Sequence, residues 1–251
     1  MSEYQYYEFQ AIDRPLTKKE MAQLRTCSTR ARITPTSFVN NYSWGNFKGD
    51  EDAWMEKYFD AFLYLANWGT HILKLRLPGN LLDAKTARLY AVGEHAAVRV
   101  NTGNLILTFQ SENEDGGDWV EDEGCLASLI SVRAELARGD LRALYLGWLL
   151  CAQSGELDSS DLSPPVPVGL GKLSASLASL VTFLRIDEGL VHIAASLATK
   201  RRRVAELLRD AKTATAERRG RATEKAVRGA PRRETTKGPG RSRGIRTIAG
   251  T

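Results

Sequence analysis

Seven carboxylates lie close together in this chain, at Glu112, Glu114, Asp115, Asp118, Glu121, Asp122 and Glu123. Oxygen-rich stretches of this kind can hold a hard cation such as calcium. A calcium loop needs ligand oxygens at alternating positions, a glycine at the sixth and a glutamate at the twelfth. Counted from Glu112, Gly117 and Glu123 fall on those two places, but the fifth, a ligand position, is Gly116 and brings no side-chain oxygen. The stretch therefore reads as a solvated acidic loop, with the chain's own basic end as one candidate partner, and no metal is expected. The three histidines, His71, His95 and His192, have no Cys, Asp or second His at ligand spacing. Cys27, Cys125 and Cys151 stand far apart with no CxxC pair, which indicates neither a disulfide framework nor a zinc site. No GxSxG, Walker A, GxGxxG or HExxH string occurs. No catalytic residue and no cofactor is nominated.

Two other groups of residues could bind something. Polar tips and aromatic faces gather at Tyr42 and Trp44, near Pro35, and again at Asn67 and Trp68. These four mark a candidate ligand or partner surface, with turn and edge-strand chemistry as the plainer explanation. The second group is cationic. Residues 199–251 hold 17 Lys and Arg against 5 Asp and Glu, while the whole chain has 35 and 30, so the body before them is acidic. Clustered cations attract phosphates by releasing counterions, with an affinity that falls steeply with salt. Lys200, Arg201, Arg202, Arg203, Arg218, Arg219, Arg232 and Arg233 are the candidate nucleic-acid contacts. The segment has no Phe, Trp or Tyr to stack on bases, so its contacts would be weakly selective.

The elements that must position these residues follow from pattern. Tyr4–Ile12 reads as a strand, and Thr17 with Glu20 forms a capping box that starts a helix at Lys18. Ile33–Tyr42 reads as a second strand with Pro35 near its start. Trp54, Met55, Tyr58, Phe59, Phe62, Leu63 and Ala66 recur at helical spacing, predicting one helix from Asp50 or Asp52 to Trp68, stopped by Gly69. His71–Leu77 alternates as a half-buried strand does. Asp83–Tyr90 suits a short helix, and Asn-Thr-Gly joins two strands at 95–100 and 104–109. About five strands and two or three helices are expected there. Beyond the acidic loop, helices are predicted at 126–136, after Asp140, from Leu173 and from Asp187. The last would continue through Lys200–Arg203 to about Arg219, with disorder past Gly220.

Several strings resemble a group of uncharacterised bacterial proteins: Tyr6-Tyr-Glu-Phe-Gln-Ala-Ile-Asp-Arg-Pro-Leu16, Ala66-Asn-Trp-Gly69, Gly139-Asp-Leu-Arg-Ala-Leu-Tyr-Leu-Gly-Trp148, Pro164-Pro-Val-Pro167 and Phe183-Leu-Arg-Ile-Asp187. The resemblance implies a bacterial cytosolic origin and supplies no reaction. The N-terminus lacks the basic start and apolar run of a signal peptide. The longest apolar stretch, Leu144–Ala152, is about half a membrane span. A cytoplasmic protein without membrane contact is expected.

The fold class expected is α+β: a mixed β-sheet with helices over residues 1–111, an acidic loop at 112–124, an all-helical bundle at 125–198, and a basic helix extension with a disordered tail at 199–251. The function expected is a non-catalytic protein-interaction module of the bacterial cytosol. A nucleic-acid-associated protein using residues 200–246 is the alternative, and an enzyme of unrecognised type comes third.

Overall fold

In the computed structural model, Gln5–Gln10 (β1) runs through the middle of a seven-stranded sheet. The described residues are 3–113, 124–196 and 201–229, with side chains through residue 217. Lys18–Cys27 (α1) follows, and its capping box forms as the sequence requires: Glu20 N–H donates to Thr17 Oγ1, and Thr17 N–H donates back to Glu20. The Arg14 guanidinium, with the Thr17 backbone and hydroxyl, holds the Glu20 carboxyl down at about 2. Arg32–Thr34 (β2) and Ser37–Tyr42 (β3) form a hairpin where one strand was expected. Pro35 and Thr36 are its turn, because proline donates no ladder hydrogen bond but fits a turn well.

The largest departure from expectation is the helix predicted to reach Trp68. Glu51–Lys57 (α2) ends after two turns, and Ala61–Ala66 (β4) is a strand buried along its whole length. A central strand covered on both faces loses its polar alternation and reads as a continuous apolar run, which periodicity cannot separate from a buried helix. Gly69 is the turn residue between β4 and His71–Pro78 (β5), with a φ of +99° that a side chain would resist. Ala84–Arg88 (α3) leads to Ala96–Asn101 (β6) and Asn104–Ser111 (β7). Between these two strands Thr102 and Gly103 both have positive φ, 45° and 81°, as a two-residue hairpin of primed type demands.

The strand order is β2-β3-β1-β4-β5-β7-β6 and all six pairings are antiparallel, where a mixed sheet was expected. Three of the connections are short hairpins, which reverse strand direction by construction. One sheet face carries an aromatic cluster built from Phe9, Phe38, Phe62 and Tyr64 with α1 and α2 over it. The other presents Leu63, Leu73, Leu75, Leu107 and Phe109 to the C-terminal helices. The class is thus α+β, in three layers.

Those helices are Cys125–Leu129 (α4), Ser131–Ala137 (α5), Arg142–Gln153 (α6), Ala175–Phe183 (α7) and Glu188–Ser196 (α8). The single helix predicted over 126–136 is broken at Ile130, which caps α4 and opens α5. Asp140 accepts the Arg142 N–H just before α6, and Asp187 accepts from Gly189 and Leu190 as α8 begins. Gly147 brings α6 against the sheet: a Cβ there would lie 2.7 Å from the Phe109 ring and 3.0 Å from Ala96. Sheet and helices share one core, so the boundary placed at the acidic loop is a change of secondary structure inside a packed unit, Met1–Ala214.

The predicted run from α8 through Arg203 is interrupted. Arg203 forms an isolated bridge with Leu162, Ser163 N–H donates to the Arg202 carbonyl, and Val204 N–H donates to the Asp161 carbonyl. This extended pairing satisfies backbone groups that a continuous helix would have satisfied within itself. The next helix, Val204–Gly229 (α9), seats Val204, Leu207 and Ala211 in the core, and from Thr215 onward it belongs to a second unit. The tail from residue 230 lies outside the described residues, as do nearly all of the acidic loop and residues 197–200. Among the described residues no helix is long and apolar enough to cross a membrane.

Candidate functional site

The densest chemistry lies where α2 crosses the sheet. Asp50 caps α2 by accepting the Ala53 N–H at 3.0 Å, and Glu51 and Asp52 follow in its first turn, where helix polarity favours carboxylates. Trp54 and Met55 sink into the aromatic cluster. Period-two alternation in β5 sends Leu73, Leu75 and Leu77 to the helical layer and leaves Lys74 and Arg76 beneath α2. The result is a charged seam. Lys74, only 9 % exposed, lies 2.7 Å from Asp52 and 3.4 Å from Glu51, with the Phe62 ring at 5.5 Å. Arg99 on β6 completes the seam by pairing with Asp52 at 3.1 Å and Glu56 at 3.0 Å.

At the lower end stands Asp60, 1 % exposed. One carboxylate oxygen accepts Arg76 Nε and Nη2 at 3.1 and 2.6 Å, and the other accepts the Ile12 and Asp13 N–H groups at 2.6 and 2.9 Å. Arg133 of α5 donates to the Arg76 carbonyl and pairs with Asp13. One buried carboxylate therefore ties the exit of β1, the start of β4 and the middle of β5 together, and through Arg76 and Asp13 the helical layer. Burial alone would raise the Asp60 pKa, but the Arg76 guanidinium and two backbone amides hold it below the usual range. Burial dominates at Glu51 and pushes its carboxyl up despite Lys74.

Two clefts open along the seam. The first, about 350 Å³, is bounded by Tyr7, Phe47, Gly49, Glu51 and Lys74. Behind it Tyr7 and Tyr64 both donate to Gln5 Oε1, at 2.8 and 3.2 Å, and burial pushes the Tyr64 phenol up to about 12. The second, about 360 Å³, lies between the end of α2 and the β6–β7 turn.

A third recess lies in the helical layer. Leu173, Val181, Val191 and Ala195 line a groove of about 240 Å³ between α7 and α8, with Glu188 and His192 on its walls. The α7–α8 turn is clamped to the sheet: Arg185 has a φ of 56°, held there by bonds to the Gly69 carbonyl at 2.8 Å and His71 Nε2 at 2.8 Å. His71 Nδ1 donates to the Phe183 carbonyl at 2.7 Å, and its ring stacks on Phe183. Burial, and then the Arg185 charge, depress the His71 pKa against the opposing carbonyl. The sign follows. Below about pH 6.5 the unfolded chain binds a proton that the folded chain refuses, so stability is lost as pH falls through the folded pKa. The thermal midpoint should drop between about pH 7 and about pH 5.5 in the native chain, and His71→Gln should flatten that slope in the same calorimetric series.

The surface expected at Tyr42, Trp44, Asn67 and Trp68 is at one end of the sheet, since Tyr42 and Ala66 flank Gln5 on adjacent strands. The four do not share a pocket among those described. Tyr42 is buried edge-on to Tyr7 at 5.6 Å, and Trp44 is 71 % exposed under the Arg30 guanidinium. Asn67 accepts the Tyr4 N–H, and Trp68 stands 45 % exposed on the β4–β5 turn. The neighbouring loop does contribute Asn46 and Phe47 to the first cleft. Of the proposed nucleic-acid contacts, Arg201 and Arg203 hold the Ser163 and Ser160 carbonyls, and Arg202 pairs with Glu206 and Asp210. Arg218 and Arg219 are carried on α9 with side chains outside the described part, and Lys200, Arg232 and Arg233 lie outside the described residues.

The buried nucleophile is quiet. Burial and the Glu156 carboxylate raise the Cys151 thiol to about 12, so it carries almost no thiolate at neutral pH. Among the described residues no group of three or more His, Cys, Asp or Glu is placed to hold a metal ion. No family model, curated protein or solved structure matches the chain. Sequence reasoning missed Asp60, Lys74 and Arg76. The available signal was the pair of cations on one face of the β5 alternation, facing a helix that carries three carboxylates, Glu51, Asp52 and Glu56.

Proposed function

We propose that this is a non-catalytic interaction protein of the bacterial cytosol, related to the uncharacterised group it resembles, which receives a protein partner on its helical half. The observation that carries the reading is the α7–α8 groove. Its lining is aliphatic, and its charged wall residue is Glu188. An apolar side chain flanked by a basic residue is the complementary anchor, because the chain carries Glu188 at the groove and no cation in its lining. The titratable groups elsewhere support a structural rather than a reactive interior: Asp60, Lys74 and His71 spend their bonds on holding layers together. The test is a photocrosslinking residue at Thr182, on the groove, expressed in the native host. A discrete adduct that disappears when Ala195→Arg fills the groove is expected. An adduct indifferent to that substitution overturns the reading.

Nucleic-acid association is the second reading, and α9 favours it. The basic sequence continues as helix to Gly229, and from Thr215 onward it belongs to a second unit. Binding to generic duplex DNA should then fall steeply with salt and vanish when residues 215–251 are removed.

A further inference from the structure

We infer that the cleft between the C-terminal end of α2 and the β6–β7 turn is a binding site for a small oxyanion, a molecule carrying a carboxylate or phosphate group. The inference is independent of the protein-partner reading. Glu56, Lys57, Arg76, Asn101, Thr102 and Asn104 line the cleft, and Ile106 and Ala53 supply an apolar wall.

Glu56 is neutralised by Arg99 at 3.0 Å, and Arg76 by Asp60 at 2.6 Å. Lys57 sits over the Tyr58 ring at 4.8 Å, and among the described residues no carboxylate lies within ion-pairing distance of it. Lys57 is thus the cation of this lining that has no ion-pair partner among the described residues.

A guanidinium has five N–H groups. Asp60 takes Nε and one N–H of Nη2, and the Glu56 carbonyl takes one N–H of Nη1. Among the described residues one N–H on each terminal nitrogen remains without an acceptor, in a side chain that Asp60 has already fixed. Thr102 Oγ1 donates to Asn101 Oδ1 at 2.7 Å, which leaves the Asn101 amide NH₂ as a donor group in the lining beside that of Asn104. Preset donors around the Lys57 cation match the acceptor-only oxygens of a carboxylate or phosphate.

Thr102 is β-branched yet occupies the left-handed region at φ 45°, where Asn or Gly is the usual turn residue. Local strain of this sort clusters at ligand sites. Here it places a hydroxyl in the wall of the cleft, where it orients Asn101.

The experiment is a titration of the full-length ¹⁵N-labelled chain with sodium phosphate, and separately sodium acetate, against sodium chloride at matched ionic strength, following the Arg76 Nε and the Asn101 and Asn104 side-chain amides by NMR. Saturable shifts with phosphate or acetate, and not with chloride, are expected. The stronger of the two identifies which group the natural ligand carries. Lys57→Gln alters an exposed side chain and should weaken binding about tenfold with the thermal midpoint unchanged. Thr102→Gly, which removes the hydroxyl and relaxes the turn, should also weaken binding while the chain stays folded. Shifts that fail to saturate, that chloride reproduces, or that survive Lys57→Gln undiminished overturn the assignment.

Discussion

Asp60→Ala should lower the unfolding free energy by about 3–5 kcal/mol, the usual cost of removing one partner from a buried ion pair. The pair itself contributes less than that, because desolvating Asp60 and Arg76 offsets much of their attraction. What the substitution leaves behind is the expensive part: a largely buried Arg76 guanidinium without counter-charge and two backbone N–H groups, of Ile12 and Asp13, without an acceptor. Asp60→Asn separates these contributions. An amide oxygen can still serve the backbone groups, so the loss should be smaller and should reflect the stranded cation. Urea unfolding followed by circular dichroism measures both. A loss below about 1 kcal/mol for the alanine variant would mean that Asp60 is not the tie between layers described above.

Phe9→Ala should be comparably damaging, again by about 3–5 kcal/mol. Phe9 is 0 % exposed at the centre of the aromatic face, with ring centroids of Phe62 at 4.4 Å, Phe59 at 5.1 Å and Trp54 at 5.2 Å. Truncation removes the transfer free energy of the ring and opens a cavity between β1, β4 and α2, and bulky neighbours on rigid strands cannot collapse to fill it. Near-ultraviolet circular dichroism should weaken with stability, because Trp54 loses its fixed packing. Phe47 stands 5.9 Å from Phe9 and also lines the first cleft, so the shape of that cleft should change too. Phe9→Leu keeps most of the volume and should cost clearly less. Equal losses for the two variants would argue against a cavity as the cause.

How far residues alone reveal this fold depends on whether a signal is local. The Thr17–Glu20 box and the Asn-Thr-Gly turn are complete within a few positions, and both form as read. The α2–β4 stretch was misread because nothing in Tyr58-Phe-Asp60 stops a helix strongly; what makes β4 a strand is pairing with β1 and β5, which is not local. The seam was illegible for a related reason. Lys74 and Arg76 look like the wet face of a strand until α2 is known to lie over them. The Arg201–Arg203 run looked available for phosphates because charge is visible in a sequence, whereas the Ser163 carbonyl that Arg201 holds, 38 positions earlier, is not.

The Leu162–Arg203 bridge has a consequence for how the molecule could be divided. Residues 201–214 are held by main-chain bonds to 159–163 and by Val204, Leu207 and Ala211 in the core, none of which depends on the covalent link through 197–200. A polypeptide severed in that link would keep its two pieces associated, the shorter one acting as a plug in a socket.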